Sequence, residues 1–261
     1  MEKQSRTLAW IVIASLFVAA IFTVTALVPI GPSTFTIGES ETQNVTQYSP
    51  QQHGAYAGNI TLLTIHGTSQ TKHWQGYYGD ITGTIVLDDA QGWTLYDWPQ
   101  SEPKGEIYAT ANSTTPTWSN ATCFNYTSTG LGTLAQWESF YSMVYNDVDG
   151  INETFNMTQH PTLDVGDVKT ITQNTCPSTY THMSDNFQTD KFVELLLTDQ
   201  EGRLVFTTVI ENDDTANNSD IVGFDNAAHD FQLLVAEDGT SRVGGQINTL
   251  TTTYYFYVDI Q

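Results

Sequence analysis

Residues 191–212, KFVELLLTDQEGRLVFTTVIEN, decide the fold class of this chain. Two runs rich in leucine, β-branched and aromatic residues, 191–199 and 203–212, are joined by the turn-like sequence Asp199-Gln-Glu-Gly202. Short runs of this composition, bounded by Gly, Asp or Asn, are typical of β-strands. The stretch therefore predicts two strands in succession.

Similar runs recur through most of the chain. They lie at 59–67, 80–89, 92–98, 105–111, 115–126, 152–155, 167–173, 230–238 and 251–260. A hairpin turn is predicted at Asp88-Asp89-Ala90-Gln91-Gly92. One segment, 131–147, has a helical period instead, with Thr133 as its N-cap. These elements predict a mainly β fold, a two-sheet β-sandwich with one short helix.

The first thirty residues carry a membrane or export signal. Residues 8–28 contain no charged residue and follow Lys3 and Arg6. As a helix they would span ~31 Å, which matches a bilayer core and predicts an N-terminal transmembrane helix. A cleaved signal peptide remains the alternative, because Val24-Thr25-Ala26 is an acceptable cleavage site.

Three regions follow from this reading. Residues 1–30 are the anchor or signal peptide, 31–58 form a Ser/Thr/Gln/Pro-rich stalk, and 59–261 form the β-sandwich domain. Because basic flanks remain in the cytoplasm, the bulk of the chain is predicted to lie outside the cell, attached to the cell membrane.

The charge balance excludes one class of partner. The chain has eight Lys and Arg residues against 29 Asp and Glu, a net charge of −21. Such a surface repels phosphate backbones, so the sequence argues against nucleic-acid binding. It favours solubility in cation-rich surroundings.

Two cysteines, Cys123 and Cys176, predict one disulfide in an exported chain. The alternative is a copper site, as in an electron carrier, because Cys176 lies close to His182 and Met183. Adjacent His and Met side chains on a strand point to opposite faces, which weakens that alternative.

Eight Asn-X-Ser/Thr sequences predict a glycoprotein with its sugars on loops or outward strand faces. They are centred on Asn44, Asn59, Asn112, Asn120, Asn125, Asn152, Asn156 and Asn217. The stretch WSNATCF, residues 118–124, combines a glycan acceptor with a cysteine, which indicates an oxidising, glycosylating exterior.

An aromatic patch and an acidic loop are the candidate binding sites. The patch comprises Trp74, Tyr77, Tyr78, Trp93, Tyr96 and Trp98, which could form a sugar-stacking face or belong to the core. The loop contains Asp147, Asp149 and Asn152, weak candidates for Ca²⁺ because their spacing misses the twelve-residue calcium loop.

No catalytic motif supports an enzyme. The sequence lacks HExxH, GxSxG and phosphate-binding glycine motifs. The two carboxylates of a glycoside hydrolase are brought together by the fold, so their separation along the sequence does not reveal them. An envelope hydrolase therefore remains a minor alternative. We expect no enzymatic activity and no cofactor apart from a possible Ca²⁺ ion.

Three segments resemble archaeal membrane-anchored exported surface proteins with a single β-rich domain and no assigned activity. They are HWQGYYGDITGTIVLDDAQGWTLYDW (73–98), FVELLLTDQEGRLVFTTVI (192–210), and DFQLLVAEDG (230–239) with the terminal YYFYVDI (254–260). The resemblance implies a cell-envelope setting and transfers no functional residue.

The expected function is a cell-surface glycoprotein with a structural, adhesive or filament-assembly role. Its partners would be the membrane, other surface proteins, copies of itself or glycans. A carbohydrate-binding module and a viral spike or pilus-like subunit remain alternatives, since they require the same features.

Overall fold

A computed structural model describes residues 26–41, 49–101, 103–144, 146–211, 221–238 and 251–261, and the backbone of 242–243 and 246–247. The prediction of a mainly β chain is confirmed. The elements are β1 Trp74–Gly79, β2 Gly83–Asp88, β3 Thr94–Gln100, β4 Gly105–Thr110, β5 Thr122–Cys123, α1 Leu134–Phe140, α2 Ile151–Thr154, β6 Leu163–Val165, β7 Lys169–Ile171, β8 Ser178–Tyr180, β9 Val193–Thr198, β10 Leu204–Val209, β11 Phe231–Ala236, β12 Arg242–Val243, β13 Gln246–Ile247 and β14 Tyr255–Ile260.

A central antiparallel sheet has the order β14-β4-β10-β9-β5, and β8 also pairs with β9. The stretch 191–212 supplies its middle, as β9 and β10. The turn between them is built by Asp199, whose Oδ1 accepts hydrogen bonds from the N–H groups of Glu201 and Arg203 at 3.0 and 3.1 Å. Gly202 follows at φ +76°, a conformation that favours glycine.

Both faces of the central sheet are buried. Leu196 and Phe206 point to one face, while Leu195 and Val205 point to the other, and all four are at most 2% exposed. Strands covered on two sides have near-continuous apolar sequences instead of alternating ones. This double burial explains the unbroken LLL of β9.

The first face is covered by the β1–β11 ribbon and the two short helices. Phe206 lies at the centre, with the rings of Trp74, Phe155 and Tyr254 each 6.1 Å away. The second face is covered by the β6–β7 hairpin and Trp118, whose ring is 5.0 Å from that of Tyr108. The sheet is thus the middle layer of three.

The predicted disulfide is confirmed. Cys123 on β5 is bonded to Cys176, which is fully buried against the second face, with Cα atoms 4.7 Å apart. The bond therefore ties the segment before β8 to the edge of the central sheet. A copper site that uses the Cys176 thiolate is incompatible with this bond, and neither cysteine is free.

Several predicted elements differ from the structure. Thr133 does cap a helix, with a capping box to Gln136, but the helix ends at Phe140 because Ser142 adopts φ +57°. The strand predicted at 152–155 is wrong: Ile151 and Phe155 are buried with helical spacing. Of 115–126 only β5 is a strand, and 59–67 forms none.

The N-terminal segment runs back along the domain. Ile30 forms two backbone hydrogen bonds with Val258 of the edge strand β14, and Phe35 lies 5.1 Å from Phe256, ring to ring. In the described ranges no helix is long and apolar enough to cross a membrane. The predicted anchor, 8–28, lies mostly outside the described residues.

Glu194 is buried between the central sheet and the ribbon without a basic partner. Its Oε2 accepts a hydrogen bond from the N–H of Leu234 at 2.7 Å, while its Oε1 has no partner. Burial raises the pKa of Glu194 well above its ordinary value, and the Leu234 hydrogen bond opposes this rise. The folded state therefore favours the protonated form of this carboxyl group more than the unfolded chain does.

Replacing both Cys123 and Cys176 with Ala is expected to lower the free energy of unfolding by about 4 kcal/mol, because the bond closes a long loop in the unfolded chain. Urea unfolding of the double variant, beside reduced and oxidised wild type, measures this loss. A loss below about 1 kcal/mol would show that the bond adds little.

Glu194→Gln is expected to be more stable than wild type at pH 8 but not at pH 4. The unfolded chain releases the Glu194 proton above about pH 4.5, whereas the folded chain retains it. Wild-type stability is thus lost as pH rises, and glutamine removes that loss. Urea unfolding at both pH values tests this; an equal difference at both would contradict it.

Candidate interaction surface

The six aromatic residues of the predicted patch are divided between the core and the surface. Trp74 packs against Phe206 and Phe155, and Tyr77 lies 5.3 Å from Phe256, ring to ring. The other four, Tyr78, Trp93, Tyr96 and Trp98, are exposed. The structure therefore does not bring the six residues together on one face.

Trp93, Tyr96 and Trp98 belong to the β2–β3 hairpin, whose residues are almost all exposed. Its predicted turn is confirmed: the Asp89 carboxylate accepts hydrogen bonds from the N–H groups of Gln91 and Trp93, and Gly92 adopts φ +82°. The pairing then fixes which side chains share a face.

One face of this hairpin is apolar and open to solvent. The register pairs Ile85 with Trp98 and Leu87 with Tyr96, and these four side chains are 42–59% exposed. The opposite face contains Thr84 and Asp97 but also the exposed apolar side chains of Val86 and Leu95, so both faces of the hairpin carry apolar groups. The sequence analysis identified the aromatic residues of this face and missed Ile85 and Leu87. Side chains alternate between the two faces of a strand, so pairing β2 with β3 across the predicted turn would have placed both residues beside Tyr96 and Trp98.

The hairpin joins the domain only at its base. A Cβ atom on Gly83 would lie 2.4 Å from Cδ1 of Ile260, so the base packs on the end of β14. In the described ranges, no third strand pairs with β2 or β3. Both outer edges of the hairpin therefore present unpaired backbone groups.

Segment 59–67, NITLLTIHG, is a second exposed apolar feature. Its side chains Ile60, Leu62, Leu63 and Ile65 are between 62% and 103% exposed. The strand prediction is wrong here: within the described residues, the segment pairs with no strand. Its β-forming composition remains unused by the fold.

The described glycosylation candidates are all accessible to solvent. Asn59, Asn125 and Asn156 are exposed, and Asn112, Asn120 and Asn152 are half-buried. Asn44 and Asn217 lie outside the described residues. None of the six lies in the buried core, so a glycan at these positions is sterically compatible with the fold.

The three calcium candidates are not brought to one point. Asp147 accepts a hydrogen bond from the N–H of Val144, Asp149 from the hydroxyl of Thr71, and Asn152 donates one to Glu153. In the parts of the chain that the structure describes, no group of three or more His, Cys, Asp and Glu side chains could hold a metal ion.

Other buried acids do not form a reactive cleft. Burial, followed by the charge of Asp259, raises the pKa of Glu106 to about 8. Two open hollows share Ala111, Ser113 and Phe140 in their walls, but Glu106 and Glu194 line neither. The exposed hairpin and segment 59–67 are therefore the principal candidate interaction surface.

Comparison with protein-family models, curated proteins and solved structures found no significant match to this chain.

Trp74→Ala is expected to cost about 2–4 kcal/mol of stability, since its half-buried ring packs against the core at Phe206 and Phe155. Trp98→Ala is expected to change stability by less than about 0.5 kcal/mol, because its side chain is exposed. Urea unfolding of the two variants measures both values, and equal losses would contradict this division of the aromatic residues.

Proposed function

We propose that this chain is a membrane-anchored cell-surface glycoprotein whose copies assemble through strand addition. The observation that carries the proposal is the joint exposure of an apolar hairpin face and an apolar, β-forming segment on one chain. An extended apolar segment adds readily to an open sheet edge, where main-chain hydrogen bonds supply affinity.

The two features are complementary in size and chemistry. Segment 59–67 has nine residues and would extend over about 30 Å as a strand, longer than the six- or seven-residue strands β2 and β3. Ile85, Leu87 and Trp98 would bury their apolar face against its side chains. Contiguous exposed apolar surface of this kind is typical of an interaction site.

The N-terminal sequence and charge support an envelope setting. The apolar residues 8–28 supply an anchor, and the resemblance to archaeal exported proteins agrees with this location. The net charge of −21 makes copies repel one another in dilute salt, so close approach needs screening by cations. The central sheet and the β1–β11 ribbon serve as the packed layers of a sandwich-type ectodomain.

Carbohydrate binding is the weaker candidate. The planes of Tyr96 and Trp98 are inclined by 61°, so the pair does not form one flat platform for a sugar ring. Trp93, 76% exposed, is a single ring at the turn.

The assembly proposal predicts that the full-length chain, purified in detergent, self-associates as NaCl is raised. Leu62→Asp and Trp98→Ser each remove one side of the contact and are expected to keep the protein monomeric. Phe187→Ser, which changes an exposed aromatic residue outside the hairpin, is the matched control and is expected to associate like wild type. Sedimentation velocity measures the mass.

Two outcomes would contradict assembly. One is a wild-type monomer at every salt concentration. The other is glycan-array binding that is lost in Trp98→Ser while the mass remains monomeric, which would assign the hairpin to carbohydrate recognition.

A further inference from the structure

Two buried carboxylate oxygens face one another between α1 and α2. Glu138 on α1 is 3% exposed, and Glu153 lies in the first turn of α2. Oε1 of Glu138 and Oε2 of Glu153 are both buried, and neither has a hydrogen-bond partner. Unpaired buried carboxylates cost folding free energy, so two of them at one place require an explanation.

Gly150 marks the point on which these oxygens converge. A Cβ atom built on Gly150 would lie 2.5 Å from Oε2 of Glu153, 3.4 Å from Oε1 of Glu138 and 3.1 Å from the carbonyl oxygen of Asp147. The two carboxylate oxygens and the Asp147 carbonyl oxygen, which also accepts the N–H of Gly150 at 2.9 Å, therefore lie within 3.4 Å of one point beside Gly150, where a side chain would collide with them.

The loop that forms this volume is held in place by its neighbours. The Asp147 carboxylate accepts a hydrogen bond from the N–H of Val144 at 2.6 Å. The indole N–H of Trp74 donates to the carbonyl oxygen of Asp149 at 2.6 Å. Asn152 donates to Oε1 of Glu153 at 2.9 Å and so orients the free Oε2. Such supporting contacts fix ligand geometry at metal sites.

The surroundings are acidic. Burial, then the charges of Glu153 and Asp147, raise the pKa of Glu138. The same two glutamates add to the effect of burial in raising the pKa of Tyr126. Among the described ion pairs, none involves Glu138 or Glu153. A bound cation would neutralise this repulsion and pair both oxygens.

We propose that Glu138, Glu153 and the Asp147 carbonyl bind a Ca²⁺ ion that joins α1 to α2. The ligands are all oxygen, which suits a hard cation and not Zn²⁺ or copper. Ca²⁺ tolerates irregular geometry and takes ~6–8 oxygens, so water completes the coordination. With three protein ligands, the affinity falls in the weak range of extracellular modules, Kd about 10⁻⁴–10⁻³ M. This site is independent of the proposed assembly.

The test uses the full-length chain, purified in detergent, after EDTA treatment and at low NaCl. Ca²⁺ is expected to raise the melting temperature in a saturable way. Tb³⁺ is expected to luminesce on excitation of Trp74, whose indole contacts the loop, and Ca²⁺ is expected to quench that emission by competition. Absence of both responses would overturn the proposal and leave a carboxyl pair that shares a proton.

Three variants separate binding from folding. Glu138→Gln is expected to raise the melting temperature in EDTA, because it removes a buried charge, and to abolish the Ca²⁺ and Tb³⁺ responses. Gly150→Ala places a methyl group in the site without backbone strain, since Gly150 has φ −68°, and is also expected to abolish binding. Asp167→Asn, at an exposed acid, is the control and is expected to respond like wild type. Unchanged Tb³⁺ emission in the first two variants would overturn the assignment.

Discussion

Burial of both faces of the central sheet is the constraint on which the rest of the structure depends. Phe206 and Leu196 need cover on one side, and Val205 and Leu195 need it on the other. The β1–β11 ribbon and the two helices supply the first cover, and the β6–β7 hairpin with Trp118 supplies the second. Hydrogen bonds cross between layers as well: the Thr208 hydroxyl donates to the carbonyl of Gln232 at 2.8 Å.

Part of the chain's apolar sequence remains exposed, although both faces of the central sheet are covered. The β2–β3 hairpin packs on β14 at Gly83 while its apolar side chains are exposed, and the exposed segment 59–67 pairs with no strand among the described residues. Exposed apolar strands normally promote aggregation. A net charge of −21 opposes that, because copies of the chain repel one another until cations screen the charge. The exposed apolar residues of the hairpin and of segment 59–67, together with the high negative charge, are the features on which the proposed salt-dependent assembly rests.

The shortage of bases also shapes the interior. With eight Lys and Arg for 29 acids, most carboxylates cannot find a basic partner. Three that are buried, Glu106, Glu138 and Glu194, all have raised pKa values. Each must hold a proton or meet a cation to remain buried. Burial of Glu194 apart from other acids favours the first course, although its backbone donor opposes it; Glu138 lies near the unpaired Oε2 of Glu153, which favours the second.

The sequence by itself determined the local features. The β9–β10 strands, the Asp89 turn, the Thr133 cap and the Cys123–Cys176 pair all follow from composition or spacing, because each depends on neighbouring residues or on the only available partner. Tertiary structure alone decided the rest. Trp74 is in the core and Trp98 on the surface because ribbon β1 pairs with β11, a partner more than 150 residues away. Segment 59–67 has strand composition but pairs with no strand in the described residues, and residues 151–154 are helical, which places Ile151 and Phe155 together in the core. Long-range pairing and burial decide such outcomes, and a local pattern does not contain them.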